Sequence, residues 1–223
     1  MTPVLLSLSV GLTATLISLP PGIAVAWIIE RTRLPGRGVL HAAVLLPLVL
    51  PPVVTGYLLL RLFSPRGALG GWLASAGMPV AFSWLGAVVA AAVVGFPLLV
   101  LTITLAMKGI DPRFETVSRS LGRSGWSTFW RVTLPLTWPG ILAGSVLAFA
   151  RGLGEFGATI ILAGRIEGET ETIPLAVYAA LEAPGGEGRI GGLIGASIVI
   201  CLACVFTARA LDNWHRRRLE LAR

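Results

Sequence analysis

Arg151 and Glu155 stand four residues apart within the apolar run FARGLGEFGATIIL. At the bilayer centre a charged side chain costs about 2.5 to 3.5 kcal/mol on insertion scales, so an intramembrane ionisable pair is a functional candidate by default. At this spacing the two can neutralise each other on one helix face. Two readings follow. Arg151 offers a passing anion a transient positive partner, with Glu155 limiting how tightly it binds; or the pair locks helices together or sits in a dimer interface and never meets a substrate. The other chemistry-bearing residues are sparse. Cys201 and Cys204, the only cysteines, form a CxxC inside an apolar run and read as small hydrophobes, since a metal site needs more ligands and a polar surrounding. His41 and His215 read as polar residues near the membrane faces. No GxxxxGK[ST] phosphate loop occurs, and no nucleophile is spaced with a base. The expectation is therefore a chain with no catalytic residues, no metal ligands and no resident cofactor.

The elements that must position these residues are apolar. The 223 residues have a mean hydropathy of +0.82, 55% apolar and 13% charged side chains, against a charged content of about 25% in soluble domains. Five long apolar segments, at 4–29, 39–63, 84–107, 137–163 and 190–211, predict five membrane spans in a single transmembrane domain over 1–223. The stretch 173–181 is too short to span and predicts an interfacial or re-entrant helix, a sixth membrane segment at most. Pro20, Pro21 and Gly22 in the first segment, and Pro47, Pro51, Pro52 and Gly56 in the second, predict kinked or broken helices. Gly140 with Gly144, Gly188 with Gly192, and Gly191 with Gly195 are small-residue pairs that permit close helix approach.

A net charge of +7 raises the question of nucleic acid, but apolar stretches split the basic residues into separate groups. Arg31, Arg33 and Arg37 follow the first segment; Lys108, Arg113, Arg119, Arg123 and Arg131 lie between the third and fourth; Arg209, Arg216, Arg217, Arg218 and Arg223 end the chain. With five alternating spans all three groups share one side, which the positive-inside rule makes the cytoplasm and which leaves the N-terminus outside. The segment 164–189 on the other side is acidic, with Glu167, Glu169, Glu171, Glu182 and Glu187. MTPVLLSLSV, lacking a basic leader and a cleavage site, reads as the start of the first span, and no further regulatory domain is expected after the last.

The cytoplasmic segment at about 108–136 predicts two short amphipathic helices. Asp111 caps the first, with Pro112 at its first position, Phe114, Val117 and Leu121 on one face and Gly122 at its end. Trp126, Phe129 and Trp130 form the apolar face of the second, and Leu134-Pro135 is expected to turn the chain back toward the fourth span. Glu115, Gly122 and, thirteen positions later, Leu134-Pro135 resemble the EAA loop of ABC importer permeases, with Val117 and Ser118 where alanines usually stand. LPLVLPPVVTGYLLL, FSWLGAVVAAAVVGFPL, AFARGLGEFGATI and GETETIPLAVYAALEAPGGE resemble, in order, blocks of the bacterial molybdate importer permeases, whose sulfate and tungstate counterparts share the GEFGA segment.

That resemblance implies an all-α membrane protein with the type I ABC importer permease fold, which translocates molybdate, or alternatively tungstate or sulfate, by alternating access. It implies a homodimer in the bacterial inner membrane, two cytoplasmic ABC ATPase subunits that use ATP and Mg, an extracytoplasmic oxyanion-binding protein, and no nucleic acid. Glu115, Ser118, Leu121, Gly122, Leu134 and Pro135 would form the ATPase-coupling loop. Arg151 and Glu155 would lie at the anion pathway or dimer interface. Glu167, Glu169 and Glu171 are expected to face basic residues of the binding protein. A secondary anion transporter and a membrane scaffold are the rival readings; the first has no need of the coupling loop, and the second leaves the ordered blocks unexplained.

Overall fold

A computed structural model describes residues 1–32, 34–184 and 187–220, with side chains as far as Ala210 apart from Glu187 and Arg189. Arg33, the two glycines of PGGE, Arg223 and the side chains of His215 and Arg216 to Arg218 lie outside that description.

Three long helices form the core. Thr2 caps α1 (Pro3–Arg31) by accepting a hydrogen bond from the Leu5 amide, and Ser83 caps α5 (Trp84–Lys108) by accepting one from Gly86. The third is α8 (Leu134–Leu153). Lipid tails are as apolar as leucine, so these helices gain little from burying apolar surface and must gain from close packing instead. Small residues provide it. Gly140 of α8 lies on Ala106, Gly144 on Leu99 and Thr102, and Gly152 on Ala91, so α8 runs antiparallel to α5. From α5, Gly95 meets the Ala148 carbonyl, where a Cβ would stand 2.9 Å from the oxygen. Ala26, Leu99, Ile103, Met107 and Ile141 fill the space among the three helices.

The second apolar segment breaks, as its prolines predict. α2 (Arg37–Val49) and α3 (Pro52–Phe63) meet at Leu50-Pro51 with a bend of 113°. α1, by contrast, runs without a break through Pro20 and Pro21. Gly22 is held there against Leu99, where a Cβ would come within 2.8 Å of that side chain, so packing on α5 keeps the helix in line across the missing donors. A short α4 (Gly70–Ser75) follows α3.

Between α5 and α8 lie α6 (Arg113–Ser120), α7 (Gly125–Thr128) and a π-helical turn at Phe129–Thr133. Pro112 takes the cap position of α6, one residue later than expected, while the Asp111 carboxylate accepts a hydrogen bond from the Arg113 amide at 2.9 Å. Leu134-Pro135 does not turn the chain. Residues 125–153 form one helical run in which the Leu134 amide closes a π turn onto the Phe129 carbonyl directly ahead of Pro135, the residue without a donor.

The fourth apolar segment is also broken, between α8 and α9 (Gly157–Leu162), and α10 (Ile173–Glu182) is the short non-spanning helix expected at 173–181. α11 (Glu187–Glu220) packs on α8 and α10 at the edge of the bundle. Among the described residues Gly188, Gly191, Gly192 and Gly195 of α11 meet no neighbour within 4 Å, so the close approach expected at glycine pairs is seen on α8 but not on α11. Among the described residues four helices are long and apolar enough to span a membrane, and the bent α2–α3 pair, taken as one span, makes a fifth.

Candidate anion pathway and coupling surface

The break in the fourth span is built around Glu155. Gly152, Gly154 and Gly157 weaken the helix locally, and Glu155 lies just past its end. One carboxylate oxygen accepts the Ala158 amide at 2.8 Å, and the other accepts Nη1 of Arg151 at 2.8 Å. Glu155 is 3% exposed, whereas the Arg151 side chain is 30% exposed. Each carboxylate oxygen thus has a partner, while the guanidinium gives Glu155 one of its five N–H groups and keeps an open side.

The second break lies against the first. A Cβ on Gly157 would stand 2.8 Å from Cβ of Pro52, and one on Gly56 would stand 2.8 Å from Cα of Ala158. Two interrupted spans therefore meet at one level, close to the Arg151–Glu155 pair. Irregular backbone at membrane depth is tolerated only where protein buries it or where it lines a cavity. Gly152 packs on Ala91, seven residues into α5, which puts the pair about 10 Å from the start of α5. Two apolar cavities lie elsewhere. One of about 370 Å³ sits beside Pro21, Pro47 and Phe96, and one of about 590 Å³ lies between α1, α8 and α11, where Cys204 is buried and Cys201 is exposed.

At the opposite end, α6 and α7 turn Glu115, Ser118 and Thr128 inward and leave large apolar side chains exposed. Phe114, Val117 and Leu121 are 58%, 59% and 75% exposed, and Trp126 and Trp130 extend the patch. Trp126 stacks on Phe129, which meets Trp27 edge-on. Ser118 is buried and shares a 3.0 Å hydrogen bond with Thr128. Gly122 ends the unit at φ +81°, a conformation that favours glycine, and Leu134 packs on the core while Pro135 is exposed. Glu115 points inward, 3.1 Å from Nε of Arg31, and accepts a 2.8 Å hydrogen bond from the Thr133 hydroxyl. The expected coupling residues thus fall into two groups: Leu121 on the open face, Glu115 and Ser118 beneath it. Exposed apolar clusters of this kind mark docking surfaces.

The acidic loop is divided too. Glu167 and Glu169 are exposed, but Glu171 is buried and stands 3.7 Å from Nε of Arg165. Its neighbours bind the loop: Thr170 Oγ1 donates to the Gly164 carbonyl and accepts from the Ile166 amide, and the Ile173 amide donates to Ser7 Oγ of α1. Tyr178 on α10 has its pKa raised by a hydrogen bond to Glu182 and by that carboxylate's charge. Among the described residues no group of three His, Cys, Asp or Glu side chains could hold a metal ion. Arg31 and Thr133 carried no site signal in the sequence, because each faces a partner distant along the chain.

Residues 18–220 match the model of the family described as binding-protein-dependent transport system inner membrane component. The chain belongs to that family. It is a multi-pass membrane protein. It is 49% identical over 219 residues to the molybdenum transport system permease protein ModB of Escherichia coli strain K12, covering 96% of this chain and 94% of that one. The Haemophilus influenzae protein of the same name is 45% identical, with 96% and 93% covered. The sulfate transport system permease protein CysT of E. coli K12 is 36% identical, with 89% and 71% covered. Among solved structures, the MetNI methionine ABC transporter in inward-facing conformations aligns with a TM-score of 0.73 at 15% identity, covering 96% of this chain and 93% of that one. A bacterial ABC transporter that imports alginate aligns at 0.65 and 20%, with 97% and 80% covered. The fold is that of type I ABC importer permeases.

Proposed function

We propose that this chain is the transmembrane permease subunit of an ATP-binding-cassette importer that carries molybdate across the bacterial inner membrane. The observation that carries the cargo is the 49% identity, end to end, with a molybdenum permease; the weaker 36% identity to a sulfate permease makes sulfate the second reading. The chain acts as half of a homodimer with the pathway at the interface. The basic end of the bundle faces the cytoplasm, so the N-terminus is outside and the C-terminus inside. There the apolar patch of Phe114, Val117, Leu121, Trp126 and Trp130 receives an ATPase subunit, which supplies ATP and Mg chemistry that this chain does not perform. Outside, Glu167 and Glu169 meet basic residues of the oxyanion-binding protein, while Glu171 holds the loop's shape.

In the pathway, the two helix breaks open a polar level in an otherwise apolar bundle. Arg151 offers a positive, partly open guanidinium to the passing oxyanion. Glu155 stays bound to the Ala158 amide and moderates the field, so that the anion binds and also leaves. Alternating access follows when ATP closes the two ATPases and draws the coupling surfaces together.

The test is ATPase activity of the chain reconstituted with its ATPase and binding protein, titrated with molybdate, tungstate and sulfate. Stimulation by molybdate and not by sulfate is expected. Stimulation by sulfate alone would favour the second reading, and none by any oxyanion would overturn both.

A further inference from the structure

Arg31, the last residue of α1, is the point at which four segments of the cytoplasmic end meet. Its side chain is 10% exposed. Nη2 donates to the Met107 carbonyl at 2.6 Å and to the Ile110 carbonyl at 3.3 Å, so the guanidinium occupies the C-terminal end of α5, where carbonyls lack helical partners and the helix dipole is negative. Nε faces Glu115 of α6 at 3.1 Å, and the same carboxylate oxygen accepts the Thr133 hydroxyl from the π turn that leads into α8. One guanidinium thereby links α1, α5 and α6 directly, and through Glu115 it reaches the run into α8. Otherwise α6 packs chiefly on α7 and the π turn. A push on the exposed face of α6 reaches α8 and, through Phe129 on Trp27, α1 by packing, and Arg31 adds a direct polar link from α6 to the cytoplasmic ends of α1 and α5. Nη2 holds the two carbonyls by hydrogen bonds, while Nε meets Glu115 as an ion pair without a hydrogen bond.

We infer that Arg31 is the link that carries movement of the ATPase-docking helix α6 into spans α1 and α5, a positioning residue for transport that acts through Glu115. The inference rests on the importer reading above. Without the link, ATP closure would still move α6, but the three core spans would no longer shift together, and hydrolysis would proceed without transport.

The experiment uses the complete complex in liposomes and measures ATP hydrolysed per molybdate taken up. For Arg31→Gln the ratio should rise about tenfold or more, as expected for losing charge-assisted hydrogen bonds, with hydrolysis continuing; Arg31→Lys, keeping the charge but not the fork, should fall between. Thr133→Val, which removes one hydroxyl at constant shape, should raise the ratio about threefold. A purely structural role for Arg31 would lower hydrolysis and uptake together at constant ratio, and that result overturns the inference. Should Arg31→Gln fail to assemble, Arg31→Lys decides: an unchanged ratio overturns the link. An unaltered complex that neither hydrolyses ATP nor takes up any oxyanion would instead overturn the importer reading, and the link with it.

Discussion

Glu155 has two roles at the helix break, capping the amide of Ala158 and holding Arg151. Removing the carboxylate leaves a buried amide and a guanidinium unpaired. Glu155→Ala should therefore destabilise the protein by about 1–3 kcal/mol, the range for a lost buried hydrogen bond, with the larger cost of breaking a fully buried ion pair discounted because Arg151 is partly open. Thermal unfolding in detergent checks this. Arg151→Gln leaves the buried Glu155 carboxylate without its counter-charge, so it should lower thermal stability and also lower molybdate uptake about tenfold or more, through loss of a charged partner for the anion. Normal uptake with normal ATPase activity would remove Arg151 from the pathway and leave it a helix lock. The spacing of these two residues was legible in the sequence. That Glu155 lies outside the helix was not, because the spacing is the same whether the chain continues in a helix or turns.

Among the elements, the joint between α3 and α9 and the turn after α6 make separate demands on glycine. Gly56 lies so close to Ala158 that any side chain must push the two broken helices apart. Gly56→Leu should lower uptake and expression together, as overpacking by a large side chain costs roughly 1–3 kcal/mol. Gly122 is the opposite case, with open space around it but φ +81°. Gly122→Val pays about 1–2 kcal/mol of backbone strain and should re-aim Leu121, weakening capture of the ATPase subunit several-fold while the spans stay folded. Pull-down of the ATPase against detergent melting separates the two effects; intact capture would place the coupling contact elsewhere. Proline content alone did not locate the breaks. Pro20 and Pro21 sit in an unbroken helix, whereas the fourth span breaks at Glu155 among glycines with no proline.

At the scale of the whole molecule, charge divides the bundle into a basic end and an acidic one. Glu167 and Glu169 are exposed where a binding protein would approach, and their attraction acts over about a Debye length, roughly 10 Å at 0.1 M salt. Reversing both to lysine should weaken binding-protein docking at low salt and have little effect at high salt. No change at low salt would move the docking site away from this loop. Reversing Glu171 should instead lower stability at any salt concentration, since the residue is buried against Arg165.

Much of this architecture is written locally in the chain. Apolar length set the five spans and the short α10, charge placement set the two ends, and the spacing of Phe114, Val117 and Leu121 marked an exposed apolar face, because each depends on residues close in sequence. Tertiary structure decided what depends on distant partners. It buried Glu171 beside Arg165, kept α1 whole by packing Gly22 on Leu99, and ran the helix straight through Leu134-Pro135 by closing a π turn ahead of it. It also brought Arg31 to Glu115 from across two spans, a contact whose 84-residue separation leaves no periodicity to read.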